Sequence, residues 1–184
     1  LYIYPSKREK YEITLAGNKA NLTQLGRESG MKKLMMINLL KRLESSVAAF
    51  RYTLIDVVKS YVDETLKAIS TYEQTGLDAL SGVPVLNEDD FDIEDSNLDV
   101  FIGKKNRIAL KDMDYRTWKL ELEKDQAILL ELEELIDQIT PTEDKKLQTL
   151  YRLIDEKMTH PINEGNKKLI IFSAFATTTN YLYK

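Results

Sequence analysis

The chain has 184 residues, 43% of them apolar, which supports one domain with a true core, or a domain plus part of another, and excludes global disorder. It has no cysteine and one histidine, His160, so disulfides and thiolate metal sites are excluded, a transition-metal site is disfavoured, and a reducing cytoplasm is the natural compartment. Removing the seven acids of segment 87–99 (Glu88, Asp89, Asp90, Asp92, Glu94, Asp95, Asp99) raises the formal net charge from −4 to +3, so the body is mildly basic and lacks the field of a strong nucleic-acid binder.

Leu1–Lys10 alternates aromatic and polar residues and breaks at Pro5, which predicts an extended start and a short helix around Lys7–Leu15. Gly17 and Asn18 mark a turn, and Leu22–Gly30 reads as a polar connector or a single helical turn. A long helix is expected from near Met31 to about Tyr72–Gln74, stopped by Gly76. Its stripe, Ile37, Leu40, Leu43, Val47, Phe50, Leu54, Val57 and Tyr61, steps by three and four residues, with no proline or glycine between Ile37 and Tyr72. That spacing keeps these side chains on one side of an unbroken helix about 50 Å long, which needs an apolar partner.

Leu77–Asp99, with Gly82, Pro84 and the acidic run, reads as a solvated loop. Asp90, Asp92 and Glu94 alternate as calcium ligands do, but the turn glycine and the closing glutamate are missing at the required offsets, so a calcium loop is rejected. Arg107–Leu110 reads as a strand or extended lead-in, and Asp112 as the cap of the next helix. That helix carries Tyr115, Trp118, Leu122, Leu129, Leu132, Ile136 and Ile139 at helical spacing and is the expected antiparallel partner of the first. Its acids Glu121, Glu123, Glu131, Glu133 and Glu134 can face the first helix's bases, and Trp118 reads as a packing anchor.

Thr140-Pro141-Thr142-Glu143 has the signature of a helix start, with Thr140 as cap, Pro141 in the first turn and Glu143 closing a capping box. The third helix shows Leu147, Leu150, Tyr151, Ile154 and Met158 and ends before His160-Pro161. After a turn at Pro161–Gly165, the run Leu169–Phe172 follows the pair Lys167-Lys168 and reads as a strand buried on both faces, with a helix from near Ala176. The expected fold class is mainly α: a long antiparallel helical hairpin, a third helix and a C-terminal β–α unit. The expected organisation is a connector over 1–30, a helical insert over 31–160 with its acidic loop at 77–99, and the β–α unit over 161–184. The chain opens on Leu1 rather than Met and closes inside an apolar pattern, Tyr181-Leu182-Tyr183-Lys184, and is therefore expected to be a fragment of a larger protein. No run of eighteen apolar residues predicts a membrane span.

Lys167–Phe175 followed by Ala176–Leu182 resembles helicase motif IV, the strand and helix that open the second RecA-like domain of Swi/Snf-type ATP-dependent helicases. Leu39–Phe50, with its Arg42-Leu43-Glu44-Ser45-Ser46 run, resembles a helical segment that lies between the two motor domains in bacterial members of that group. Met113-Asp114-Tyr115 with Trp118 is similar to the family's connecting segment. The resemblance implies a parent that uses ATP and magnesium to move on DNA, this chain being the inter-domain helical region and the first β–α unit of the second, truncated motor domain. The chain itself lacks the Gly-x-x-x-x-Gly-Lys-Ser/Thr phosphate loop, the Asp-Glu-x-His motif and the arginine-finger motif, so no catalytic, cofactor-binding or metal-binding residue is assigned and the piece alone should be inactive. The remaining motor domains and nucleic acid are the implied partners. Candidate contacts to either are Lys41, Arg42, Arg51, Lys104, Lys105, Lys167 and Lys168, because phosphate contacts need only lysine and arginine. The alternative is a non-enzymatic coiled-coil module that docks a protein through its long stripe. Ser45 and Ser46, with no histidine near in sequence, read as small residues permitting close helix contact rather than as nucleophiles.

Overall fold

A computed structural model describes residues 2–12, 24–83 and 108–183. The chain is mainly α-helical: α1 (Arg8–Glu12) follows a 3₁₀ turn at Pro5–Lys7, and α2 spans Gln24–Ser45. Next, α3 (Val47–Arg51) runs through a π-helical stretch, Tyr52–Lys59, into α4 (Ser60–Thr75). Then come α5 (Tyr115–Asp137), α6 (Lys145–Thr159) and α7 (Ala176–Tyr183). The acidic loop beyond Val83, with Lys104 and Lys105, lies outside the described residues.

The expected hairpin forms, with α3, the π stretch and α4 as one arm and α5 as the other. Polar contacts give its direction and register. Arg51 Nε lies 2.9 Å from Asp137, Lys59 Nζ 3.6 Å from Glu133, Gln126 Nε2 2.6 Å from Asp63 and Lys119 Nζ 2.6 Å from Glu73. Residue numbers rise on one arm as they fall on the other, which is an antiparallel pairing. Between the arms lies the core of Leu54, Ile55, Val62, Ile69, Leu122, Leu129 and Ile136, with Leu110 and Met113 closing one end. Each such side chain contributes about 1.5–3 kcal/mol on burial, whereas exposed ion pairs contribute about 0–1 kcal/mol, so the apolar seam sets the register. Tyr72 meets Tyr115 edge to face at 5.3 Å, and the half-buried Trp118 packs against Tyr2 at 6.1 Å.

Gly76 ends the first arm as expected: at φ 71° it is left-handed, and its N–H returns to the Tyr72 carbonyl at 2.8 Å. Other expectations are corrected. The first helix starts at Gln24, not near Met31, and it is not continuous, because Ser46 is extended at φ −161°, ψ 155° and separates α2 from α3. The stripe also changes phase. In the π stretch the Ser60 N–H reaches the Ile55 carbonyl, five residues back, and the wider turn buries Leu54, Ile55 and Val62 where a uniform helix would bury Leu54, Val57 and Tyr61.

Both expected caps shift. Asp114, not Asp112, caps α5, accepting from the Thr117 N–H at 3.2 Å. Asp112 instead is buried and ties down the N-terminal segment, whose Ile3 makes an antiparallel bridge with Met113. Only half of the Thr140–Glu143 capping box forms, and within the preceding turn: Glu143 Oε2 accepts from the Thr140 N–H at 3.1 Å and from the Thr140 hydroxyl at 2.8 Å, while the Glu143 N–H bonds the Thr140 carbonyl rather than its hydroxyl. The cap of α6 is Asp144, which accepts from the Lys146 and Leu147 N–H groups at 3.0 Å. A carboxylate takes two orphan donors at once, and the helix begins after it.

The expected strand Leu169–Phe172 is not formed, and no strand occurs among the described residues. A strand buried on both faces needs neighbours that complete its ladder and cover its side chains. Here Ile170 is 76% and Phe172 89% exposed. The helix expected after it does form, as α7.

Candidate functional site

The break between α2 and α3 is also where the C-terminal segment docks. Ser46 has non-helical backbone angles, which suits it as the N-cap of α3: its Oγ accepts from the Ala49 N–H at 3.1 Å. Thr178 of α7 places its Oγ1 2.8 Å from Ser46 Oγ and 2.8 Å from Ser45 Oγ. Ser46 and Thr178 are both buried. Because Ser46 Oγ already accepts from a backbone amide, the three hydroxyls can pass donors along one chain in which each oxygen has a partner.

Arg42 lies one turn before these serines and is 2% exposed. Its guanidinium sits 4.9 Å from the centroid of the Phe175 ring, a cation–π arrangement with a buried phenylalanine at the mouth of α7. Just before that helix, the Phe175 N–H donates to Ser173 Oγ at 3.2 Å, which helps fix how the segment enters α7. From α6, Lys146 Nζ donates to the carbonyls of Glu44 and Ser45, the latter at 2.9 Å, supplying a charged donor to acceptors left open at the end of α2. Tyr181 O–H donates to Asp144 Oδ2 at 3.1 Å, linking α7 to the cap of α6. Burial, and then the bond to the Asp144 carboxylate, push the Tyr181 phenol above its ordinary range.

Of the five candidate contact residues that are described, only Arg42 belongs to this junction; Lys104 and Lys105 lie outside the described residues. Lys41, beside it in sequence, is exposed. Arg51 is ion-paired with Asp137 on the partner arm, which answers a base of the first arm with an acid of α5 as the charge pattern predicts. Lys167 and Lys168 are exposed ahead of the apolar run. Ser45, Ser46, Phe175 and Thr178 were not among the candidates; the signal that could have found them is that both quoted segments of the family resemblance contribute to one contact. Lys146 and Tyr181 carried no sequence signal, since their partners are a backbone carbonyl and a capping carboxylate on other elements.

The junction is suited to holding segments together and to transmitting position. Among the described residues, no group of three or more histidine, aspartate or glutamate side chains is placed to hold a metal ion, and the sequence supplies no phosphate-cradling loop for ATP. No described helix is long and apolar enough to cross a membrane. No family model, curated protein or solved structure matches the chain.

Proposed function

We propose that the chain is the helical region between the motor domains of a bacterial Swi/Snf-like ATP-dependent helicase or translocase, acting in the cytoplasm as a mechanical spacer beside DNA. One observation carries the reading: the Arg42–Ser46 run and the Phe175–Thr178 segment, resembling two separate parts of that family, meet side chain to side chain. The exposed run Leu169–Phe172 also supports it, being an apolar segment whose sequence suits a sheet completed by further residues. On this reading ATP and magnesium bind elsewhere in the parent protein. The rigid hairpin fixes spacing, and exposed bases such as Lys41, Lys167 and Lys168 face phosphate or a motor lobe.

The test is the gene that encodes this chain. A phosphate loop and an Asp-Glu-x-His motif encoded upstream of Leu1, and DNA-stimulated ATPase activity of that longer product, are expected; their absence overturns the motor reading. A salt titration of duplex binding by the longer product separates the role of the bases, because phosphate contacts make affinity fall steeply with salt. The rival reading, a helical module that docks a protein, is favoured by the exposed apolar side of α2 at Met36, Ile37, Leu40 and Leu43. ATPase activity in this chain alone would contradict both readings.

A further inference from the structure

We propose that Ser46 is the joint of a two-state linkage in which α7 and Lys146 hold α2 bent away from α3, and that release of α7 lets α2, α3, the π stretch and α4 close into one helix. The inference rests on hydrogen bonding at the break and stands apart from the assignment to a motor.

Across the break, the bonds of an unbroken helix are already half made. Ser46 N–H donates to the Arg42 carbonyl at 2.9 Å, and Phe50 N–H donates to the Ser46 carbonyl at 3.1 Å, both of them four-residue steps. In an unbroken helix the Ala48 and Ala49 amides would bond the Glu44 and Ser45 carbonyls. Here three of these four groups have substitutes: Lys146 Nζ occupies both carbonyls, and Ser46 Oγ takes the Ala49 amide. Rotation about the two backbone dihedrals of Ser46 exchanges one set of partners for the other. The Ser46 side chain is held in its capping role by Thr178 Oγ1 at 2.8 Å, so α7 is the clamp.

The burial pattern of α2 supports a second state. No proline or glycine interrupts Ile37–Tyr72, and the step pattern puts Ile37, Leu40 and Leu43 on the side of Val47, Phe50 and Leu54 in an unbroken helix. In the bent arrangement the inner side of α2 is mixed, with Leu39 packed against the core beside polar residues. Asn38 and Arg42 are buried, Ile37, Leu40 and Leu43 are exposed, Leu40 at 53%, and Asn38 Nδ2 has no partner among the described residues. A helix that buries polar Asn38 and Arg42 beside Leu39 and leaves Ile37, Leu40 and Leu43 outside is held by specific clamps as well as by its own amphipathicity.

The experiment uses the whole chain, whose lack of cysteine permits clean labelling of Lys33→Cys and Lys67→Cys, both exposed positions. Spin-label distances are measured by pulsed electron resonance. In an unbroken helix the two backbones lie about 51 Å apart, at roughly 1.5 Å per residue over about 34 positions. The parent chain should give a shorter distance. Thr178→Val, which keeps the shape and removes the hydroxyl, and Lys146→Met should each shift the distribution toward that longer value, while Thr178→Ser should restore the short distance. Far-UV circular dichroism accompanies each variant, with helix content expected to be kept or raised. A distribution unchanged in both Thr178→Val and Lys146→Met overturns the proposal, as does a longer distance that comes with loss of helix.

Discussion

The Arg42 guanidinium lies 4.9 Å from the centre of the Phe175 ring, so a residue of α2 and one just before the last helix share a buried contact. A charged group this far from water depends on such neighbours, since burial penalises it unless it is matched. The pair is best tested by a double-mutant cycle with Arg42→Met and Phe175→Leu, read by urea denaturation. A coupling energy of about 0.5–2 kcal/mol is expected for a desolvated cation–π pair. A coupling near zero would make the two merely adjacent.

Core and surface of the hairpin should respond on different scales. Ile69 is fully buried between the arms, and Ile69→Ala should cost about 2–5 kcal/mol, with a fall in Tm on the order of 10 °C. Asp137→Asn breaks the Arg51 pair, whose two side chains are both substantially exposed, and should cost less than about 1 kcal/mol. Thermal melts of the two variants decide the ranking. Comparable losses would mean that charge, not the apolar seam, fixes the pairing.

The turn at Gly76 gives a third measure. A Cβ there would meet nothing within 4 Å, so space is not the obstacle, but the φ of 71° is one that side-chain-bearing residues disfavour. Gly76→Ala should therefore destabilise by about 1–2 kcal/mol through backbone strain alone. Gly76→Asn, which tolerates the left-handed region, should cost less in the same urea titration.

The elements readable in the sequence were those whose cause is local. The seam of α5 from Leu122 to Ile136, the left-handed stop at Gly76 and the end of α6 at Thr159, ahead of Pro161, each follow from spacing or backbone chemistry inside a short window. The break at Ser46 was not readable, because nothing in Leu43–Phe50 forbids a helix there; it is held by Thr178, 132 residues away, and by Lys146. The strand expected at Leu169–Phe172 failed for a related reason. Its apolar composition suits a buried strand, but strand formation depends on partners, and no described segment supplies one. The π stretch moved burial from Tyr61 to Val62 through a change in turn width that hydrophobic periodicity alone does not encode.

Asp112 contributes to the pH dependence, beside Asp114 and Glu143, whose carboxyls are also held below their ordinary values. Its carboxylate accepts from Lys10 Nζ at 2.6 Å and from Tyr11 O–H at 2.7 Å, and these bonds, the lysine first, hold it below the usual carboxylate range. The same contact raises Lys10 above its ordinary value. A carboxyl depressed in the folded state binds its proton more readily when unfolded. Its stabilising effect is therefore complete above the unfolded value of about 3.9 and is lost as pH falls through the lower folded value. Lys10, raised on folding, behaves in the opposite sense: its contribution is present below its ordinary value of 10.5 and is lost as pH rises through the higher folded one. Between these limits the tie of the N-terminal segment to Leu110–Met113 should not vary with pH. Asp112→Asn should lower Tm at neutral pH and reduce its fall between roughly pH 5 and pH 2 relative to the parent chain. Parallel Tm–pH curves for the two proteins would remove Asp112 as a source of acid sensitivity.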